Sequence, residues 1–476
     1  MLRFYQLGAE NFWIDEIFSI ERAGSLRHDL DRFWNIANRP LSLFFLHFAL
    51  PFGTSEFLLR TPFAILSILD VGALFLLSRE LVERRVALRA TLFLAVLPLH
   101  VWYAQEVRWY SQWALLATVS SLALVRLWKT GRIRWWVCHT LTIIFALYTF
   151  VASLYLVLLQ FLTAWLLPDR GRRGNFRTRV AITAIIAALV ALPYVLNVLG
   201  LMSTGRGGGD GIVGTPRATT FVVLPYLFFA YVSGYTVGPT VAELHDLPHP
   251  RTLLSAYPEI LLYYLVFVPV VLAGLWSLRG RRECAALLVP WVVGLPLLIF
   301  ATAVVEGQTF NVRYTFAAVP GFALLLSLGV ESLGRWRLAG TIAVLALFGA
   351  SLVSFYGDPR YDKEHHREAT RLIRTSPSRE EPIAVVGQGL VAAMYYGKGL
   401  EFERLIGCGG IDEDIDRDRA PAVHLTELRS EPAFWLMVSR DWEHSANPCL
   451  DRIASTHEIR TRSRFPGVDV FLLSRR

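Results

Sequence analysis

Long apolar stretches fill most of the first three quarters of this chain and limit what it can fold into. Each is close to the length of about 20 residues that a helix needs to cross a bilayer. They cover residues 60–82, 86–104, 110–128, 134–149, 150–167, 179–200, 258–277, 284–304, 313–333 and 338–356. A further stretch at 219–237 contains Pro225 and is not expected to span. The pattern predicts a polytopic α-helical membrane protein with about ten or eleven transmembrane helices.

The composition agrees with a membrane protein. Hydrophobic residues make up 54% of the chain and charged residues 18%, and the mean hydropathy is +0.42, whereas a soluble domain is about 45–50% apolar. The formal net charge of +8 would also suit nucleic-acid binding. The basic residues lie mostly in short loops between the apolar stretches, however, and the sequence has no nucleic-acid-binding motif. The charge therefore indicates membrane topology, and no nucleic-acid partner is expected.

Basic clusters follow alternate apolar stretches, provided that 134–167 forms a helical hairpin and 219–237 does not span. Positively charged loops stay in the cytoplasm, so this alternation assigns a side to every loop. The clusters are Arg84, Arg85 and Arg89; Lys129, Arg132 and Arg134; Arg170, Arg172, Arg173, Arg177 and Arg179; Arg279, Arg281 and Arg282; and Arg335 and Arg337. The parts predicted to face outward are residues 1–59, 105–109, 201–257, 305–312 and everything after 357.

The N-terminal segment, residues 1–59, needs a means of export. It carries five arginines, and no apolar stretch in it is long enough to span. Residues 2–8 resemble the end of a helix. We therefore expect the true start to lie upstream, with a first transmembrane helix missing from this sequence. The apolar stretch from Leu41 to Leu50 is too short to span and predicts a helix at the membrane surface.

Residues 357–476 are charged and polar, unlike the transmembrane part at 60–356. Their short β-like runs lie at 383–386, 434–438 and 468–473, and their helix-like stretches lie near 363–374 and 389–396. This alternation predicts a small extracytoplasmic α/β domain. Gly387-Gln388-Gly389 suits either a turn or a phosphate cradle. Cys408 and Cys449 suit either a disulfide in an oxidising compartment or two free thiols.

Asp15 and Glu16 are adjacent carboxylates set among aromatic and aliphatic residues, within Asn-Phe-Trp-Ile-Asp-Glu-Ile-Phe-Ser at 11–19. A carboxylate at the water-facing edge of an apolar bundle loses hydration, which raises its pKa. Such a group is suited to removing the proton of a hydroxyl. A solvated acidic turn is the alternative interpretation of this pair.

Four arginines on the predicted outer side are not explained by the positive-inside rule. Arg39 precedes the surface helix, Arg60 opens the first clear span, Arg108 lies in the loop at 105–109, and Arg313 opens a late span. Charged residues at a membrane boundary are costly and are candidates for function. Together these arginines are suited to hold a lipid phosphate through charge-assisted hydrogen bonds. For any one of them, interfacial snorkelling is the alternative.

Further polar residues near the same boundary are candidates for a substrate cavity. His100 is alternatively a satisfied interfacial histidine, and Glu106 alternatively pairs with Arg108. The candidate cavity residues are His100, Tyr103, Gln105, Glu106, Tyr110 and Tyr314.

No metal site or cofactor is expected from the sequence. His245 and His249 have a helical spacing with Asp246 between them, but Pro248 and Pro250 argue against a helix there. The glycine-rich segment at 205–211 has no strand before it and predicts an outer loop. The sequence has no Walker, dinucleotide-binding or nucleophile-elbow motif. A metal requirement stays open.

Several motifs occur in an order that is similar to a known family. They are the acid-pair segment at 11–19, Arg39-Pro40-Leu41, Ser55 to Pro62, Pro98-Leu99-His100 with Gln105 to Tyr110, and Arg313-Tyr314. The set resembles the GT-C membrane glycosyltransferases of glycosyltransferase family 39, which include protein mannosyltransferases and lipid A aminoarabinose transferases. The resemblance is strong over about residues 4–130, weaker up to 356, and absent from the C-terminal domain.

The resemblance implies a GT-C fold and transfer of a sugar from a polyprenyl-phosphate lipid on the outer side of the plasma membrane. Asp15 would be the base, with Glu16 beside it. Arg39 would contact the phosphate, and Arg108 and Arg313 match family positions near the donor. Direct displacement would invert the anomeric configuration. The family also has a transmembrane helix before the acid pair.

Two other functions compete with the transferase. A flippase or transporter of lipid-linked sugars shares the many spans and the cationic contacts, but it needs neither an external acid pair nor a sizeable external domain. A membrane sensor leaves the acid pair and the boundary arginines unexplained. The sequence leaves open whether the sugar is mannose, arabinose or aminoarabinose, and whether the acceptor is a glycan, a lipid or a protein.

Overall fold

The computed structural model describes residues 1–25, 39–168, 173–203, 221–240, 243, 250–307, 310–386, 389–406, 420–439 and 447–476. Every apolar stretch predicted to span falls on helical structure. The helices that precede the C-terminal domain are α1 (Ile14–Gly24), α2 (Pro40–Ala49), α3 (Glu56–Leu81), α4 (Arg84–Val96), α5 (Pro98–Ala104), α6 (Tyr110–Thr130), α7 (Ile133–Thr149), α8 (Ser153–Leu166), α9 (Arg173–Ser203), α10 (Val223–Ser233), α11 (Pro250–Ala256), α12 (Glu259–Ser277), α13 (Arg282–Leu288), α14 (Leu295–Val305), α15 (Val319–Ser332) and α16 (Arg337–Gly357). A π-helical turn joins α13 to α14, and a 3₁₀ turn at Val312–Ala318 leads into α15.

Within the described residues, six helical segments are long and apolar enough to cross a membrane, or seven if the bent pair α4 and α5 forms one span. The sequence predicted about ten or eleven. The difference lies in α6, α7 and α8. Helices α7 and α8 have only 17 and 14 residues, whereas α6 is long enough but is buried over most of its surface and carries several serines and threonines. A helix enclosed by other helices has little lipid-facing surface to keep apolar.

The helical bundle has two distinct ends. At one end the basic loops meet, where Arg126 pairs with Glu80 at 3.0 Å and Arg89 pairs with Glu331 at 3.0 Å. Helix α3 begins at the opposite end, where Arg60 contacts Glu16. A helix of 26 residues is about 39 Å long. The acid pair therefore lies a membrane thickness away from the basic loops.

Among the described residues, the C-terminal domain contains a six-stranded sheet. Its strands lie side by side in the order β3 (Ala422–His424), β2 (Phe402–Ile406), β1 (Ile383–Val386), β4 (Ala433–Ser439), β6 (Val468–Arg475) and β5 (His457–Phe465). Strands β1 to β4 run parallel and β5 and β6 are antiparallel additions, which gives a mixed sheet with an apolar cluster on each face. The elements are α17 (His366–Thr375), β1 (Ile383–Val386), α18 (Leu390–Tyr396), β2 (Phe402–Ile406), β3 (Ala422–His424), α19 (Leu425–Leu428), β4 (Ala433–Ser439), α20 (Asn447–Ala454), β5 (His457–Phe465) and β6 (Val468–Arg475).

The predicted runs became β1, β4 and β6, and the two predicted helices became α17 and α18. The sequence did not indicate the other three strands. Strand β5 is an edge strand whose residues are mostly exposed, and it carries several charges. It therefore lacks the apolar alternation that identifies a half-buried strand.

Several predictions concern residues outside the described part of the chain. They involve Gly387 and Gln388, the glycine-rich segment at 205–211, the His245–His249 segment, and Cys408. Cys449 lies in α20, but its side chain is also outside the described part.

Candidate active site

Helix α1 carries the acid pair in its first turn. The backbone N–H of Trp13, which caps the helix, donates to Glu16 Oε2 at 3.2 Å. Asp15 and Glu16 are consecutive, so their side chains leave the helix about 100° apart. The two carboxylates therefore have different surroundings.

Asp15 is partly exposed and lies between two arginines. Arg313 Nη1 contacts Asp15 Oδ2 at 2.7 Å, and Arg108 Nη2 lies 3.5 Å from the same oxygen. Arg108 Nη1 also donates to the Asp15 carbonyl and to Ser19 Oγ, both at 3.0 Å. The structure thus brings together three residues that are far apart in sequence. The Nε atoms of both arginines are buried and have no hydrogen-bond partner within the described residues.

Arg39 is held beside this cluster by an uncommon backbone conformation. Its φ and ψ of 56° and 48° are left-handed, which costs a non-glycine residue about 1–2 kcal/mol. The guanidinium lies 5.3 Å from the Trp109 ring centroid and 5.6 Å from that of Phe150. Residues in such strained conformations are held by the surrounding structure and are common at active sites and ligand-binding sites.

The cluster of Asp15, Arg39, Arg108 and Arg313 carries more positive than negative charge. Burial and, to a smaller extent, the positive charge of Arg108 lower the pKa of Arg39 to about 10. Arg39 is still protonated at neutral pH. Among the described residues, no carboxylate forms an ion pair with it. Three guanidinium groups around one carboxylate form a site for an additional anion.

A pocket opens beside this cluster, between α1, α2 and the loop at 105–109. Ser19 and Arg22 of α1 line it. They lie four and seven positions after Asp15 and therefore share its helical face. This spacing was the signal in the sequence that would have identified both. The pocket is lined by Phe18, Ser19, Arg22, Arg39, Ser42, Leu43, Leu46, Phe63, Val107, Arg108 and Trp109.

Glu16, in contrast, is completely buried and saturated with donors. Arg60 Nε and Nη2 donate to its two oxygens at 3.0 and 2.9 Å, the Val107 N–H donates at 2.9 Å and Lys363 Nζ at 3.1 Å. Burial alone would raise the pKa of Glu16, but the charges of Arg60 and Lys363 outweigh it and hold the pKa at about 2. Glu16 is therefore a fixed anion inside the protein.

Arg60 has different surroundings from those that the sequence suggested. It was expected to contact the donor phosphate. Its side chain is buried, and its remaining hydrogen bonds go to the carbonyls of Leu7, Glu10 and Asn11. It is thus committed to Glu16 and to the N-terminal segment.

In the described structure, none of the residues predicted for the substrate cavity lines the pocket, although Tyr110 and Tyr314 lie beside Arg108 and Arg313. His100 Nε2 is 3.0 Å from Asp70 Oδ2, and His100 Nδ1 is 2.7 Å from Arg3 Nη2, in a fully buried network. Gln105 Nε2 donates to the Tyr5 carbonyl at 2.9 Å and to neighbouring carbonyls of the N-terminal segment. These two side chains fix the N-terminal segment against the bundle.

The three tyrosines form part of the packing near the cluster. Tyr103 Oη is 2.9 Å from Tyr235 Oη, and the Tyr103 ring packs against Tyr110 at 4.3 Å. Tyr314 packs against Phe150 at 5.7 Å, with the Arg313 guanidinium 5.5 Å from its ring centroid. Tyr110 also lies beside the charged cluster, because the Arg108 guanidinium is 6.0 Å from its ring centroid.

Glu106 is a second buried glutamate near the cluster. Its Oε1 accepts a hydrogen bond from Trp102 Nε1 at 2.9 Å and lies 4.0 Å from Lys363 Nζ. Its Oε2 is buried without a hydrogen-bond partner in the described residues. Burial raises the pKa of Glu106 to about 7, although Lys363 opposes this change.

No group of three or more His, Cys, Asp or Glu side chains in the described residues is placed to hold a metal ion. The cluster itself offers a carboxylate, three guanidinium groups and the neighbouring Ser19 hydroxyl. This set can bind an anionic group and accept a proton.

Part of the sequence is similar to a known protein family. Residues 39–197 match the sequence model of the dolichyl-phosphate-mannose-protein mannosyltransferase family. That segment includes Arg39 and Arg108, whereas Asp15 and Arg313 lie outside it. A search of curated proteins finds no match.

Two solved structures resemble the whole chain. ArnT from Cupriavidus metallidurans in the apo state has a TM-score of 0.58 at 14% identity, with 99% of this chain and 95% of that chain covered. The same protein bound to undecaprenyl phosphate has a TM-score of 0.53 at 12% identity, covering 99% and 96%. At these identities the structural match establishes the fold alone. With the family match, it confirms the resemblance to GT-C membrane glycosyltransferases.

Proposed function

We propose that this protein is a membrane glycosyltransferase that moves a sugar from a polyprenyl-phosphate lipid to an acceptor hydroxyl on the extracytoplasmic side, with inversion at the anomeric carbon. The observation that carries the proposal is the charge imbalance around Asp15. Arg313 and Arg108 pair with one partly exposed carboxylate, and Arg39 and Arg108 line a small pocket beside it. Such a transfer needs a binding site for the donor phosphate and a general base for the acceptor hydroxyl.

The three arginines would act on the leaving group. When the acceptor oxygen attacks the anomeric carbon, the bond between that carbon and the phosphate oxygen breaks, and negative charge grows on the phosphate. Arg39, Arg108 and Arg313 are held by rings and carboxylate before the reaction, so they stabilise this charge without reorganising. ArnT, a protein of the same fold, has been solved bound to undecaprenyl phosphate, which supports a polyprenyl-phosphate ligand for this protein.

Asp15 would take the proton of the acceptor hydroxyl. Its carboxylate is partly exposed and is paired with Arg313 and Arg108. A donor phosphate in the pocket would share the hydrogen bonds of those two guanidinium groups. Donor binding would thereby leave the Asp15 carboxylate freer to accept a proton at the step in which the acceptor hydroxyl loses its proton.

Glu16 and Arg60 have no direct part in this mechanism. Both side chains are buried, and each is the main charged partner of the other. Neither lines the pocket. Asp15 and Arg313 do not line the pocket either, but their side chains are partly exposed, whereas those of Glu16 and Arg60 are not. We therefore assign them to holding α1, and we keep Asp15 as the only base.

The apolar surroundings suit a lipid donor. The side of the pocket formed by α2 and α3 includes Leu43, Leu46 and Phe63. On the outer surface of α2, Phe44 and Phe48 are exposed and pack edge to face at 4.6 Å. Aromatic side chains at a membrane interface are stable in contact with lipid. The carrier chain would therefore remain in the bilayer while its phosphate reaches the arginines.

The extracytoplasmic placement rests on the two ends of the bundle. The basic loops lie at the end opposite the acid pair, and basic loops stay in the cytoplasm. The pocket and the C-terminal domain would then face outward, across the plasma membrane from nucleotide-sugar pools. The reaction would then need an activated sugar on the outer side, and a polyprenyl-phosphate carrier delivers one there.

The test uses the purified protein with a panel of polyprenyl-phosphate sugars that carry mannose, arabinose or aminoarabinose. Donor consumption is followed by mass spectrometry with candidate acceptors of each class, for the wild type and for Asp15→Asn. Consumption of one donor by the wild type and its loss in the variant is the expected result. Movement of a lipid-linked sugar between vesicle leaflets without transfer would instead support a flippase and overturn the proposal.

A further inference from the structure

The carboxylate of Glu16 joins four separate parts of the chain. It caps its own helix through the Trp13 N–H, accepts the N–H of Val107, pairs with Arg60 of α3, and accepts a hydrogen bond from Lys363. Its neighbours in sequence matter, because Asp15 precedes Glu16 and Arg108 follows Val107. The same carboxylate thus fixes the backbone on both sides of the Asp15–Arg108 contact.

Lys363 is the partner in this set that comes from the C-terminal region. It lies in the segment between α16 and α17, and its side chain is 11% exposed. Its backbone N–H donates to Glu10 Oε2 at 3.0 Å, which fixes the start of its side chain. The ammonium group then lies 3.1 Å from Glu16 and 4.0 Å from Glu106.

The same face of the C-terminal domain packs on α1 through apolar contacts. Val391 and Ala392 of α18 share one buried cluster with Phe12 and Ile17. The Tyr395 ring meets the Phe12 ring edge to face at 5.9 Å.

Polar contacts close this face around the start of α3. The Phe12 N–H donates to Tyr396 Oη at 2.6 Å, and Tyr396 donates to Glu56 Oε1 at 2.9 Å. Arg367 Nη1 donates to the same Glu56 oxygen at 3.1 Å. The domain therefore contacts α1 and its flanks by apolar packing, by neutral hydrogen bonds and by buried charge.

We propose that Lys363 is a positioning residue through which the C-terminal domain sets the geometry of the base in the proposed transfer reaction. Lys363 does not touch the pocket, and it acts through Glu16 on α1. This inference rests on the proposed function. A shift of about 1 Å in a catalytic group can lower a rate about a hundredfold, so a side chain that fixes α1 affects the rate without touching the substrate.

The kinetic test compares Lys363→Met with Lys363→Arg and with Lys398→Met. Lys398 is an exposed lysine of the same domain and controls for the lost charge. We expect Lys363→Met to lower kcat on the order of tenfold or more, with a smaller change in KM for the donor because, of the three phosphate-binding arginines, Arg108 is the one next to a Glu16 contact. Lys363→Arg should recover much of kcat, and Lys398→Met should behave as wild type.

A second measurement does not depend on activity. Hydrogen–deuterium exchange of residues 10–24, read by mass spectrometry on the full-length protein in detergent, reports how firmly α1 is held. We expect faster exchange there in Lys363→Met than in the wild type or Lys398→Met. The strands of the C-terminal sheet should exchange as in the wild type, which separates release of α1 from unfolding of the domain.

The outcomes separate this inference from the proposed function. If the wild type transfers sugar and Lys363→Met does so with an unchanged kcat, the positioning role is wrong. Unchanged exchange at residues 10–24 in the folded variant also overturns it. If the wild type transfers no sugar, the proposed function fails, and faster exchange then supports only the part of the inference that concerns the hold on α1.

Discussion

Two neighbouring carboxylates of α1 lie in two regions of opposite design. The region around Asp15 has three guanidinium groups, an open pocket and a partly exposed carboxylate. The region around Glu16 is closed, and donors from four parts of the chain saturate its carboxylate. Excess charge that is accessible is free to act on a ligand, whereas paired charge that is buried holds the fold. The comparison teaches that accessibility and charge balance, more than residue type, separate a carboxylate that is a candidate for catalysis from a structural one.

The largest expected effect is that of Asp15→Asn on the rate. Losing a general base lowers kcat by a factor on the order of 10²–10⁴. The amide has nearly the shape of the carboxylate but cannot take the proton. It also competes less well for Arg313 and Arg108, so polyprenyl phosphate should bind at least as tightly as to the wild type. Single-turnover transfer and a binding titration measure the two effects, and a variant with wild-type kcat would remove Asp15 from the mechanism.

Glu16→Gln, the same type of change one residue later, should act on stability instead. It leaves Arg60 buried without its anion, and breaking a buried ion pair costs about 3–5 kcal/mol. Thermal unfolding in detergent should show a markedly lower midpoint, with a smaller change for Asp15→Asn because that residue is partly exposed. A Glu16→Gln protein that unfolds like the wild type would contradict the structural assignment of this carboxylate.

Arg39→Gln should lower the rate, but its largest expected effect is smaller than the largest expected effect of losing the base. Removing one preorganised donor from a developing negative charge costs about 10²–10³ in kcat. The effect should appear with polyprenyl-phosphate donors of every sugar, since the phosphate is common to them. Arg39→Lys keeps the charge but not the planar fork, and it should fall between the two. Equal activity of all three proteins would exclude Arg39 from phosphate stabilisation.

The sequence allowed part of the site to be predicted, for a physical reason. Arg39, Arg108 and Arg313 stand out because charge at a membrane boundary needs an explanation, and the structure brings them together around Asp15. Arg60 satisfied the same criterion, yet it pairs with Glu16. One-dimensional position cannot tell an arginine that faces a pocket from one that faces a buried glutamate.

Lys363 was missed for a related reason. It lies in a charged stretch of the C-terminal region, where solvated lysines are common, and its partner is 347 positions away. Tertiary contacts bring the two together, among them the packing of α18 on α1 and the hydrogen bond from the Lys363 N–H to Glu10. Likewise, α6, α7 and α8 do not meet the length and composition of a span, and the burial of α6 and the short lengths of α7 and α8 depend on their neighbours.

The smallest expected effect concerns Glu106, which extends the comparison to a third carboxylate. Burial raises the pKa of Glu106 to about 7 from a usual value of 4.5, so the folded protein binds its proton more tightly than the unfolded chain. The resulting stabilisation is fully present below about pH 4.5 and is lost as the pH rises through about 7. Glu16, whose pKa is lowered to about 2, has the opposite dependence, with stability lost as the pH falls below about 4.5. Between pH 5 and 8 the unfolding midpoint of the wild type should therefore fall relative to that of Glu106→Gln. A constant difference between the two proteins over that range would mean that Glu106 does not change its charge there.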